Sequence, residues 1–222
     1  MAQLYIDPEI EAVRQLHRLQ SSKNYSNLHI HELLASKAAI ILDAHQQGNK
    51  TVLFHLRCWS PVFVGADPAR IMSSALTLEQ AQETIAREYG YNDWQEIEAL
   101  GSTTLDEEFE RTVDAVIEGD IKQIKSQLLA SPKMIDQRSQ YGHRATLLHY
   151  IGANGIESCR QITPLNAAEV TQCLIVAGAD VNAMANIYGG STSLGLVLTS
   201  AHPDNAGLTE KIAQVLRNAG AK

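Results

Sequence analysis

Residues 169–183 read EVTQCLIVAGADVNA, and the architecture follows from this stretch. Val170, Leu174, Ile175 and Ala177 recur at spacings that lay one apolar stripe along a helix. Gly178 offers the left-handed backbone that ends a helix cheaply. Asp180 and Asn182 can bond nearby backbone and shape a turn. A pair of short helices cannot bury its stripe alone, so it needs copies stacked on either side.

Upstream, Thr146-Leu147-Leu148-His149 stands one helix earlier, and Thr192-Ser193-Leu194-Gly195 repeats its outline 46 residues on. The exit pairs Gly178-Ala179 and Gly220-Ala221 are 42 apart. An earlier unit, Phe109–Gln140, keeps the order helix, Gly119-Asp120, helix. These outlines resemble the ankyrin repeat, whose period is about 33, so about 13 residues are extra between the two aligned tetrapeptides. Most of them fall at Gly155–Pro164, and the last unit carries its own near Ala201–Gly207.

The resemblance is to bacterial ankyrin-repeat proteins. It rests on TLLHYIGANGIESCRQITPLNAAEVTQCLIVAGADVNA (146–183) and YGGSTSLGLVLTSAHPDNAG (188–207). LTLEQAQETIAREYGYNDWQEIEAL (76–100) is similar to a helical segment that precedes the repeats in such proteins. Leu147 and Ser193 replace the usual proline, and Gly195 replaces the histidine. The resemblance implies that Thr146 and His149 brace their turn by hydrogen bonds, and that the last turn is braced differently. It also implies binding through turn tips and inner helices. Carried onto this chain, that points to Tyr141, His143 and Arg144 on one tip and Ile187 and Tyr188 on the next. Arg160 and Gln161 in the 155–164 insertion join them, because the insertion shows no packing need and such loops often carry function.

The rest of the chain reads as helix, with no sustained period-2 alternation. Asp7-Pro8 opens a first helix with Ile10, Val13 and Leu16 on one side. Ser21–Asn27 is a polar break, and Leu28–Gln47 is a long amphipathic helix that includes His45. Val52–Trp59 and Pro68–Ser73 are shorter. Thr77-x-x-Gln80 and Thr104-x-x-Glu107 are capping-box patterns, and Asp93 can cap a helix anchored by Trp94. Ile121, Ile124, Leu128 and Leu129 form a further stripe. Short extended pieces are expected at turn tips near Asp136 and Asn182. Gly101-Ser102-Thr103 reads as a linker. The expected organisation is therefore all-α: a helical segment over 1–101, packed at the start of a short ankyrin stack of about three units over 102–222.

Composition narrows the function classes. Eighteen basic and twenty-five acidic side chains leave a formal charge of −7, which argues against nucleic acid and anionic membrane as partners. Three cysteines without C-x-x-C spacing make neither a disulfide framework nor a zinc site, and fit reduced thiols in a cytoplasmic protein. The opening MAQLYIDPEIEAV carries charge inside any apolar core and does not read as a signal peptide.

No P-loop, G-x-G-x-x-G, G-x-S-x-G or H-E-x-x-H occurs. Cys159-Arg160 in the insertion is the candidate for a cysteine activated by a basic neighbour, and its simpler reading is an ordinary loop cysteine. Glu107, Glu108 and Glu110 read as a solvated first turn, and His143 as an exposed tip residue. Lys122, Lys125, Lys133, Arg138, Arg144 and Arg160 are either scattered solvated charge or a basic stripe suited to an acidic partner surface. The expected function is protein–protein binding with no catalysis, no cofactor and no metal. The other class kept open is an enzyme or small-molecule-binding domain in 1–101, with the repeats as a recruiting element.

Overall fold

The computed structural model describes residues 2–17 and 25–222, and their regular structure is almost entirely helical. The chain divides into two units: residues 8–105, and residues 106–222 together with the first seven.

In the 8–105 unit, α1 (Pro8–Leu16) buries Ile10 and Val13. Of the expected polar break at Ser21–Asn27, residues 21–24 lie outside the described residues; Tyr25–Asn27 is irregular. Helix α2 (Ile30–Gln46) buries Ile30, Leu34, Ala38 and Ile41, one stripe at spacings of three and four. That stripe packs on α5 (Leu78–Glu88), which presents Ala81 and Ile85. Between them come α3 (Leu53–Trp59) and α4 (Pro68–Ser73). The Thr77/Gln80 capping box forms with both its hydrogen bonds, at 3.2 and 3.1 Å. Asp93 caps α6 (Trp94–Glu98) through the Glu96 amide, and Trp94 is buried beneath it. His45 is a packed histidine, its Nε2 2.9 Å from the Ile71 carbonyl. The segment read as a linker is laced to the start of α2: the Ile30 amide donates to the Thr103 carbonyl and the Leu105 amide to that of Leu28.

In the 106–222 unit, six helical segments form two rows. Helix α7 (Glu107–Ile117), a 3-10 segment (Leu147–Gly152) and α10 (Ser193–Thr199) make the inner row. Helices α8 (Ile121–Ala130), α9 (Ala167–Val176) and α12 (Thr209–Asn218) make the outer one. Short α11 (Ala201–Asn205) bridges α10 and α12. The core runs continuously through both rows, from Phe109 and Val113 through Leu147, Val170 and Leu174 to Leu196, Ile212 and Leu216. At about 1.5–3 kcal/mol for each fully buried large aliphatic, this shared core accounts for segments too short to hold as isolated helices.

Several expectations change. Asp106, not Thr104, caps α7, accepting from the Glu108 and Phe109 amides. On α9 the buried face is Ala167, Val170, Thr171 and Leu174, while Ala177 is exposed. On α8 only Ile124 and Leu128 are buried, and Leu129 is 84 % exposed. Extended pieces lie at Leu4–Tyr5 paired antiparallel with Thr163–Pro164, at the His29–Thr104 bridge and, close after Asn182 as expected, at the Ala185–Ser191 bridge; among the described residues none lies near Asp136. The 155–164 insertion does have a packing need: Ile156, Glu157, Ser158, Arg160, Gln161, Ile162, Thr163 and Pro164 are all buried. It runs back across the inner row and ends as the strand that meets Leu4 and Tyr5.

Candidate functional site

The two turn tips lie side by side. In the first, the Ser139 amide donates to the Ala145 carbonyl (2.7 Å) and the Arg144 amide to that of Tyr141 (3.0 Å). In the second, Ala185 and Ser191 exchange backbone hydrogen bonds at 3.0 and 3.2 Å. The Asn186 amide donates to the His143 carbonyl at 2.7 Å, and the Arg138 guanidinium reaches both the Arg144 and Met184 carbonyls.

His149 braces the pair from beneath. Its Nδ1 accepts the Thr146 amide (3.1 Å), so Nε2 carries the proton and points at the Ala183 and Ser191 carbonyls, 3.1 and 3.2 Å away. Burial lowers its pKa to about 4, so the ring is neutral at pH 7. In the last unit, where glycine stands in the histidine's place, Thr192 Oγ1 caps α10 by accepting the Gly195 amide at 3.2 Å.

Of the seven residues the sequence assigned to the binding surface, two are on it. Arg144 is exposed, with φ +53°. Tyr188 is 64 % exposed, with φ +51°, and its hydroxyl donates to Asn154 Oδ1 at 2.9 Å. Both adopt a left-handed backbone that side-chain-bearing residues occupy at a cost of about 1 kcal/mol or more, and such positions gather at functional sites. Tyr188 overlooks an open groove of about 590 Å³ lined by Asn154, Met184, Ser191, Thr192 and Thr199. Met184 on its wall is 52 % exposed. Ile187 turns inward onto Gly155, where a Cβ would fall 2.2 Å from its Cγ2. Gly155 itself is at φ +69°.

The other four are inside, which corrects the expectation of a basic display surface. Arg160 sits among three carboxylates: Glu110 Oε2 at 2.5 Å, Glu157 Oε1 at 3.0 Å and Asp114 Oδ1 at 3.1 Å. His143 is fully buried and accepts the Ala145 amide on Nδ1, so its protonated Nε2 faces Glu157 Oε2 at 3.5 Å. Tyr141 and Tyr150 flank that ring, with centroids 5.8 and 6.1 Å away, and the Tyr150 hydroxyl donates to Glu157. Gln161 donates to the Ile156 carbonyl and meets His202 Nε2 at 3.2 Å. Burial raises the Glu110 pKa, with Arg160 opposing and Glu157 adding to the rise. At Glu157 burial also pushes upward, but Arg160 and His143 outweigh it and hold the carboxyl below the usual range. One cation thus serves several acids, and of Glu110 and Glu157 it is Glu110 that more readily keeps a proton. Glu110 is accordingly no solvated first-turn residue.

A second buried polar chain lies in the 8–105 unit. Glu88 Oε2 meets His55 Nδ1 at 2.6 Å, and His55 Nε2 meets His17 Nε2 at 3.1 Å. All three are closed to solvent. Burial, with Lys37 and His55 adding to it, holds the His17 pKa far below the ordinary histidine value. The sequence carried no signal for this trio, whose members are 38 and 33 residues apart. Among the described residues no cluster of histidine, cysteine and carboxylate is arranged to hold a metal ion, and no helix is long and apolar enough to cross a membrane.

No protein-family model, curated protein or solved structure matches the chain.

Proposed function

We propose that the 106–222 unit is a short ankyrin-type stack that binds a protein partner through its paired turn tips, without catalysis. The observation that carries this reading is Tyr188: a mostly exposed aromatic, fixed at both ends by a left-handed backbone and a hydroxyl hydrogen bond, beside a groove walled by Met184. A side chain already held in place loses little entropy on contact, and tyrosine is a common anchor of protein interfaces. Arg144 on the neighbouring tip suits a carboxylate of the partner. The partner surface that fits is therefore an apolar side chain for the groove with an acid beside it. Three cysteines outside any disulfide suit a reducing, cytoplasmic setting.

The test is affinity capture from the native host with wild-type chain and with Tyr188→Ala/Met184→Ala. Loss of specific partners at unchanged melting temperature supports the reading. Capture of the same proteins by both chains overturns it.

A further inference from the structure

The outer row carries a second surface, built from residues the tips do not use. Leu129 on α8 is 84 % exposed and Val176 on α9 is 78 % exposed. They flank an apolar groove of about 550 Å³, with Ile121 and Leu128 among its walls. Two large aliphatics so open to water on adjoining helices mark a contact surface rather than scattered exposure.

The direction of the helices fixes what can cover it. The C-terminal ends of α8 and α9 both lead into the tips, and the tips lie side by side, so the two helices run parallel. Level with one another along the pair are Lys122 and Glu169, then Lys125 and Gln172, then Leu129 and Val176, each pair 47 apart in sequence. The α8 bank of the groove is therefore basic through Lys125, with exposed Lys122 on the same helix beside it, and the α9 bank acidic through Glu169, with an aliphatic on each bank further along. All six side chains are exposed.

We propose that this face binds a second copy of the chain, about a two-fold axis parallel to α8 and α9. Such an axis sets α8 of one copy against α9 of the other at equal height. Leu129 then meets Val176 of the second copy, and Lys122 meets its Glu169, each contact occurring twice, as an isologous interface requires. An axis across the helices would instead set each helix on its own counterpart, Lys122 on Leu129 and Glu169 on Val176, burying charges against aliphatics. An unrelated partner would have to bring both an acid and a base at the right spacing; the chain's own surface already holds them.

Sedimentation velocity on the full chain tests this. The wild type is expected to show a concentration-dependent dimer below about 100 µM, the range of a modest but specific interface. Leu129→Asp/Val176→Asp, at exposed sites that leave the core intact, is expected to weaken dimerisation more than tenfold. Lys122→Glu or Glu169→Lys alone is expected to weaken it several-fold, and the double reversal to restore it. Tyr188→Ala leaves the dimer unchanged, so this surface and the tip surface stand or fall separately. A monomer throughout the range, a dimer indifferent to Leu129→Asp/Val176→Asp, or a monomeric chain that fills the groove with a different protein overturns the proposal.

Discussion

Replacing Arg160 by methionine removes the one cation from a buried group of three carboxylates while keeping much of the volume. Arg160 makes three charged contacts, at 2.5, 3.0 and 3.1 Å. A hydrogen bond to a charged group contributes about 1.5–3 kcal/mol, so their gross loss is about 5–9 kcal/mol. Freeing the guanidinium from its own burial returns several kcal/mol, which brings the net cost to about 3–5 kcal/mol, the usual scale for a buried pair broken on one side. The pH dependence carries the sharper test. Glu157 has a lowered pKa, so its stabilising effect is present above the ordinary carboxylate range and fades as pH falls through it. Glu110 has a raised pKa, so its effect runs the other way: full in acid and lost as pH rises. Without Arg160 both carboxyls move up. The destabilisation by Arg160→Met is therefore largest at neutral pH and shrinks toward pH 4, where protonated acids need no counter-ion. Urea unfolding followed by far-UV circular dichroism measures it; Trp59 and Trp94 both lie in the 8–105 unit, so tryptophan emission does not report the affected one. With a urea slope of about 2 kcal/mol/M the midpoint falls by about 2 M at pH 7. Adding Glu110→Gln recovers part of the loss. A shift below about 0.5 M at pH 7, or a cost that does not diminish in acid, would refute the reasoning.

His149→Ala is expected to cost about 1–2 kcal/mol by leaving the Thr146 amide and two carbonyls without their partner. Because the His149 pKa is lowered to about 4, its contribution is full above the ordinary histidine value and lost as pH falls from there through 4. The acid limb of the stability profile flattens in the variant, and calorimetry over pH 4–7 checks this. Gly155→Val forces a branched side chain into a left-handed position 2.2 Å from Ile187 and is expected to cost about 3 kcal/mol or more, seen as a melting temperature lower by 10 °C or so. Asp106→Ala removes the observed cap of α7 and costs about 1 kcal/mol, whereas Thr104→Ala is near neutral; the reverse order in urea midpoints would restore the Thr104 capping box.

What could be read from the sequence was what local periodicity and turn chemistry encode. Val170 and Leu174 on a core face, the turn after Gly178 and the Thr77 cap are all set by neighbours within a few positions; the Thr146–His149 brace came from the ankyrin resemblance, and its hydrogen bond forms. The exposure of Tyr188 agrees with its place in a tip, whereas Tyr141, placed by the same rule, is buried. The destination of Arg160 was not, since its partners Glu110 and Asp114 are 50 and 46 residues away and no spacing rule links them. A clue was nonetheless present: Glu110 and Asp114 are four apart on α7, beside Phe109, Val113 and Ile117. Acids that share a helix face with the core call for a buried cation. The insertion misled for a related reason. Its alternation of charged, polar and apolar residues suits a surface loop as well as a strand crossing a core, and only the tertiary pairing decides between them.

The pairing of Leu4 with Pro164 also bears on the order in which the molecule can be made. During synthesis Leu4 and Tyr5 leave the ribosome long before Thr163 and Pro164, and must wait for more than 150 later residues before their strand partner exists. The 8–105 unit, contiguous in sequence, can complete itself in the interval. The Leu4–Tyr5 strand then stays without its partner strand until translation has passed the insertion. A bulky fusion ahead of Leu4 would press on this late closure more than on any earlier step.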